Sequence, residues 1–196
     1  MIVSLEDLDL TKQYSYADYL TWKFSERIEL LKGYIRQMAA QGSKHQRIAF
    51  QLVKSYGIFF DKQPCRVYFA PFDVRLYNRK KSLLADKDIY SIVQPDICVI
   101  CDSSKIDEKG CNGSPDLIIE IVSPSNPKTD LQDKYKLYAE SGVTEYWVVF
   151  PNDGIIQQFV LEENTYKTHG VFGNGEAISP FLFPDLSIEL EEIFRP

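Results

Sequence analysis

The run Leu117-Ile118-Ile119-Glu120-Ile121-Val122 is apolar at every position but one. A strand that is apolar on both faces reads as a central strand covered from both sides, so the chain must build a sheet with layers packed above and below it. The one glutamate is then trapped. Burying an unpaired carboxylate costs several kcal/mol, so Glu120 needs a cation, a metal or a proton beside it. The alternatives are an ordinary buried ion pair, or a register in which Glu120 reaches solvent at the sheet edge.

Asp96 follows Pro95 and opens a predicted strand, Ile97 to Cys101. Its carboxylate stands at a strand end, where a neighbouring strand can supply a second oxygen, and two carboxylates from adjacent strands suit a hard cation. Pro-Asp alone is a weak signal, since Pro115-Asp116 and Pro184-Asp185 repeat it. Asp116 shares a strand face with Glu120 but lies ~13 Å from it along an extended strand, too far to share one ion.

The cluster SPSNP ends the Glu120 strand and leads into a helix predicted from about Thr129 to Ser141, capped by Gly142. With Leu131 at zero, Lys134, Tyr135 and Tyr138 fall at about −60°, +40° and −20°, while Asp133 and Lys136 fall opposite. Lys134 therefore lies within the apolar arc and faces the sheet. An i,i+4 pair with Asp130, or a lysine that snorkels out of the core, would account for it equally simply. Glu29 and His45 are secondary candidates that could complete a metal shell or position a water or phosphate.

The remaining pattern frames these residues. Ser15 caps a predicted helix over Tyr16 to Phe24, Arg27 to Ala39 reads as two strands around Lys32-Gly33, and His45 to Phe60 is an amphipathic helix. Arg66 to Phe69, Asp73 to Tyr77, Ile97 to Cys101 and Leu117 to Val122 form the predicted sheet. Asn78 to Asp88 and Asp102 to Ser114 read as exposed connections. Glu145 to Phe150 is a further strand, Asp153-Gly154 turns into a hairpin of Ile155 to Leu161 and Thr165 to Phe172, and Leu186 to Phe194 alternates before a helical turn. The order Ile97, Leu117, Thr129, Glu145 implies a mixed sheet with a crossover helix on one face and the His45 helix packed against it, an α/β or α+β class.

With 196 residues, 44% of them hydrophobic, the chain is expected to form one domain. No apolar stretch is long enough to span a bilayer and no signal-peptide pattern opens the chain, so a soluble, cytoplasmic protein is expected. Cys65, Cys98, Cys101 and Cys111 are too sparse for a disulfide framework and read as buried thiols, with Cys98 and Cys101 on opposite strand faces. The net charge of −6 works against binding a polyanion. Local basic groups remain at Arg75, Arg79, Lys80, Lys81 and Lys87, and at Lys44 and Arg47.

The string PDLIIEIVSPSNPKTDLQDKYKLYAESGVTEYWVVFP, together with ELLKGYI, the helix opened by His45, and VQPDICVI, resembles the Uma-two family of restriction-endonuclease-type domains, from about Tyr14 to Phe194. The resemblance implies a restriction-endonuclease-like core, with Asp96 and Glu120 at its acidic positions. Val122 stands where the usual nuclease motif carries a lysine two residues after the glutamate, and Lys134 matches the family's migrated lysine. The expected function is metal-dependent hydrolysis of DNA phosphodiesters, with Asp96, Glu120 and the Ile121 carbonyl holding Mg²⁺ or Mn²⁺ and Lys134 orienting a water, in a homodimer. The competing expectation is a non-catalytic DNA-binding or assembly module on the same fold. An enzyme acting on a small phosphorylated molecule finds no Gly-rich phosphate loop here.

Overall fold

The computed structural model describes residues 4–23, 25–77, 89–123 and 128–195. In chain order the strands are β1 (Ile28–Leu31), β2 (Tyr34–Gln37), β3 (Arg66–Phe69), β4 (Val74–Leu76), β5 (Ser91–Val93), β6 (Ile97–Ile100), β7 (Ile106–Asp107), β8 (Gly110–Asn112), β9 (Leu117–Ile121), β10 (Glu145–Phe150), β11 (Ile155–Glu162), β12 (Thr165–Gly173), β13 (Ala177–Ile178) and β14 (Ile188–Glu189). The helices are α1 (Tyr16–Tyr19), α2 (Ser43–Phe60), α3 (Lys128–Ser141) and α4 (Leu190–Phe194). None is long and apolar enough to cross a membrane among the described residues.

One six-stranded sheet runs β12-β11-β10-β9-β6-β3. Among the described strands of this sheet only β9 and β10 pair in parallel, which demands a crossover, and α3 supplies it. Gly142 ends α3 with φ at +85°, a conformation that favours glycine, and both Gly142 N and Val143 N donate to the Tyr138 carbonyl at 3.0 Å.

The side chains of β9 alternate between two cores. Leu117, Ile119 and Ile121 pack with Ile48, Leu52, Tyr56 and Phe60, the four-residue stripe of α2. Ile118 packs with Leu137, Tyr138 and Ala139 of α3. The period of two puts Glu120 on the α3 face with Ile118. Each fully buried aliphatic or aromatic side chain stabilises the layer by ~1.5–3 kcal/mol, so this strand is fixed in register by both helices.

A second six-stranded sheet runs β2-β1-β5-β4-β8-β7. Its β1–β2 hairpin turns through Lys32 (φ +53°) and Gly33 (φ +89°), the two left-handed residues that a tight hairpin of this type requires. A third cluster, including Tyr16, Ile28, Leu30 and Ile92, seats α1 on this sheet.

Several expectations are corrected here. The segment at Asp73 to Tyr77 belongs to the second sheet rather than to the Glu120 sheet. The three-residue β5 has too little periodicity to be read as a strand, and it forms because β1 and β4 pair with it from both sides. The connection expected over Asp102 to Ser114 contains the β7–β8 hairpin. The first helix stops at Tyr19, where the Asp18 carbonyl is taken by Thr21 N (2.9 Å) and Thr21 Oγ1 (2.7 Å). Phe24 and the connection Asn78 to Asp88 lie outside the described residues.

The cysteine reading also changes. Cys65 and Cys101 form a disulfide. The pairing Arg66↔Ile100 in the antiparallel β3–β6 ladder, extended by one residue, sets these two cysteines opposite each other, and strand pairing of that kind is invisible along the sequence. Cys98 and Cys111 are buried free thiols, and burial pushes both thiols upward, Cys111 to about 12.

Candidate active site

The α3 face of β9 converts the buried glutamate into a charge cluster. Lys134, only 4% exposed, sends Nζ to Glu120 Oε1 at 3.1 Å and to Glu29 at 3.0 Å from either carboxylate oxygen. Tyr138 lies one helical turn beyond Lys134, and its hydroxyl donates to Glu120 Oε1 at 2.6 Å. Glu29 arrives from β1 of the other sheet, and its Oε1 also accepts the Gln94 N–H at 2.8 Å. The lysine therefore ties the two sheets together through their buried carboxylates. Among the described residues, no donor reaches Glu120 Oε2.

Fully ionised, the two carboxylates on Lys134 would outnumber its single positive charge. Burial pushes the Glu120 carboxyl up to about 8; the Lys134 ammonium pulls it down, the Asp96 and Glu29 charges raise it, and the Tyr138 hydrogen bond lowers it. Desolvation by burial outweighs the pull of the single cation.

Asp96 occupies the end of β6. One step beyond the Ile97↔Ile119 pair, the antiparallel register sets it opposite Glu120. Its own partners come from elsewhere. Oδ2 accepts the Ile121 backbone N–H at 2.7 Å and lies 3.1 Å from His45 Nε2, while Oδ1 accepts Gln41 Nε2 at 2.6 Å. His45 stands at the third residue of α2 and is buried. A hydrogen bond there requires a proton on Nε2, by tautomer or by full protonation.

The five predicted side chains thus form two adjacent groups. Glu29, Lys134 and Glu120 share one set of ion pairs. Asp96 and His45 share the other, joined to the first by strand register and by Ile121 N.

Tyr138 and Gln41 were not anticipated. Tyr138 had a signal, since it lies four residues from Lys134 on the same helix face. Gln41 had none, because it sits in the connection between β2 and α2 and acts through a contact 55 residues away in sequence. Asp116 serves a strand end, accepting Cys101 N at 2.7 Å. Arg75 does not join a basic face. It is buried, donating to Asp107 Oδ1 (2.7 Å) and the Cys111 carbonyl (3.2 Å) with its guanidinium over the Tyr16 ring. A charge buried this deeply requires its partner. Arg79, Lys80, Lys81 and Lys87 lie outside the described residues. Lys44 is exposed and Arg47 half-buried at the start of α2.

Comparison with known proteins gives three findings. A protein of Synechocystis sp., "Uncharacterized protein slr1290", is 21% identical over 140 residues, covering 70% of this chain and 68% of that one. A crystal structure described as "a putative nuclease belonging to DUF820" from Anabaena variabilis superposes with a TM-score of 0.71 at 20% identity, covering 92% of this chain and 97% of that one. That likeness establishes the mixed α/β fold, with mixed sheets flanked by helices. The third finding is a family-model match over residues 16–191, and by it the chain belongs to the Uma2 family, described as "Putative restriction endonuclease".

Proposed function

We propose that the chain is a metal-dependent endonuclease that hydrolyses DNA phosphodiesters at the Glu120 cluster. The observation that carries this reading is Lys134, buried and held between the Glu29 and Glu120 carboxylates, with Glu120 Oε2 accepting no hydrogen bond among the described residues. Family membership supports it.

The donor set suits a hard divalent cation. Asp96, Glu120 and the Ile121 carbonyl would hold Mg²⁺ or Mn²⁺, with Glu120 Oε2 open and Asp96 Oδ1 accepting one hydrogen bond. Among the described residues no three or more His, Cys, Asp or Glu side chains are grouped so as to hold a metal ion by themselves. Mg²⁺ is ordinarily held by one or two carboxylates with water and phosphate completing the shell, so two carboxylates are sufficient. A bound ion supplies Lewis-acid polarisation of the phosphate and lowers the pKa of an attacking water.

The chain's own residues do the remainder. Lys134 orients the water and offsets charge that grows on the phosphoryl oxygens. Glu29 and Tyr138 act as positioning residues, fixing the ammonium and the Glu120 carboxylate. His45 and Gln41 fix the Asp96 carboxylate. Cutting two strands by one chemistry calls for two copies of the site, and we extend the reading to a homodimer.

Supercoiled and single-stranded circular DNA incubated with Mg²⁺ or Mn²⁺ tests the reading, with wild type and Lys134→Ala side by side. Metal-dependent cleavage by the wild type alone is expected. DNA binding without cleavage by either protein would replace the enzyme with a nuclease-fold binding module.

A further inference from the structure

Next to Asp96 lies a cavity of about 140 Å³ whose lining includes Gln41, His45, Gln46, Phe50, Phe69 and the Asp96 carboxylate. It shares Asp96, His45 and Gln41 with the site above, and its aromatic walls take no part in the chemistry just described. Its volume is far below that of a drug-sized pocket and suits one planar ring system.

Two features set its walls apart. Phe50 and Phe69 are 65% and 59% exposed, whereas the aromatic rings of the cores, such as Trp147 and Tyr56, are fully buried. Phe50 comes from α2 and Phe69 from the edge strand β3, and the residue after Phe69 is anchored beside the site, Ala70 N donating to the Asp96 carbonyl at 3.2 Å. Leaving two large rings in water forfeits the burial that either could have gained.

The polar part of the lining is organised. Gln46 Nε2 donates to Gln41 Oε1, and Gln41 Nε2 donates to Asp96, so the two amides form a relay with fixed donor and acceptor directions. His45 Nδ1 is buried and has no hydrogen-bond partner, although Nε2 of the same ring is engaged.

Aromatic faces combined with amide and imidazole groups are the means by which proteins hold an unstacked nucleobase, the ring stacking and the polar groups reading its edge. The charge balance favours this route. A chain of net charge −6 gains little from phosphate attraction, and stacking supplies affinity that does not depend on net charge. A base inside a duplex is already stacked and paired and cannot enter.

We propose that this cavity is a nucleobase subsite, and that the preferred substrate carries an unpaired, unstacked nucleotide beside the phosphate that faces Asp96 and Glu120. The proposal rests on the nuclease reading and names the substrate class of that same site.

Fluorescence anisotropy in EDTA tests it, using labelled oligothymidylate, an abasic deoxyribose-phosphate chain and a blunt duplex, all of equal length. Wild type should bind oligothymidylate tightest. Phe69→Ala and Phe50→Ala should each weaken that binding by about tenfold and leave the abasic chain unchanged, while Phe69→Trp retains it. Both positions are exposed, so the variants should melt like the wild type. Equal affinity for the oligothymidylate and abasic chains, or alanine variants that bind like wild type, would overturn the subsite. If duplex is still cleaved in that case, the nuclease reading survives alone. Base-dependent binding without metal-dependent cleavage would keep the subsite and remove the enzyme.

Discussion

Glu120 and Glu145 lie on neighbouring parallel strands, 6% and 0% exposed, and are held in opposite ways. Glu145 is surrounded by neutral donors. Its Oε1 accepts Trp147 Nε1 (2.7 Å), Gln158 Nε2 (2.7 Å) and Phe181 N (2.9 Å), and its Oε2 accepts Leu182 N (3.0 Å). Those bonds pin the segment at Phe181 and Leu182 to the sheet. Glu120 has one cation and one phenol on a single oxygen, other carboxylates nearby and its second oxygen open. A carboxylate whose oxygens are all satisfied by fixed dipoles is a structural anchor. One left partly unsatisfied among like charges is poised to take a further cation or proton.

The comparison can be broken most directly through activity. Glu120→Gln should lower metal-dependent cleavage by about a thousandfold, while Glu145→Gln changes it by less than about threefold where both remain folded. Equal losses would erase the distinction. Lys134→Met should cost about 3–5 kcal/mol in urea unfolding, because Glu29 and Glu120 then remain buried without their shared cation. A small cost would mean that other groups neutralise the pair. Glu145→Gln replaces an acceptor oxygen with an amide that meets existing donors, and should cost about 3 kcal/mol, or a fall in Tm of about 6–12 °C.

The smallest effect sharpens the contrast through pH. Between the ordinary 4.5 and about 8, native Glu120 keeps a proton that the unfolded chain releases. Its contribution to stability is complete at the low end and is lost as pH rises through that window. Glu120→Gln lacks this loss, so its Tm relative to wild type should rise from about pH 5 to about pH 8 in parallel thermal melts. A constant difference would show that Glu120 ionises without hindrance.

Much of this arrangement was legible in the linear pattern. The alternation in β9, the four-residue stripe of α2 and the glycine stop of α3 are local signals, and each appears where periodicity placed it. The Glu120–Lys134 contact was legible for the same reason: a strand, a helix and the turn between them form one crossover unit. Glu29 was only a candidate because its partner is 105 residues distant and belongs to the other sheet. Gln41, the Cys65–Cys101 bond and the ion pair of Arg75 left no local trace. Glu145 gave no signal either, since a glutamate at the start of a strand ordinarily faces water.

The sequence by itself determined which face of each element is apolar and that one glutamate must be buried among aliphatic neighbours, because hydrophobic period and chain connectivity are properties of a linear chain. Only the tertiary structure decided which buried acid receives a lysine and which receives neutral dipoles. Those partners come from separate strands, helices and turns, and burial energy depends on the atoms gathered around a charge rather than on the residues beside it in the chain.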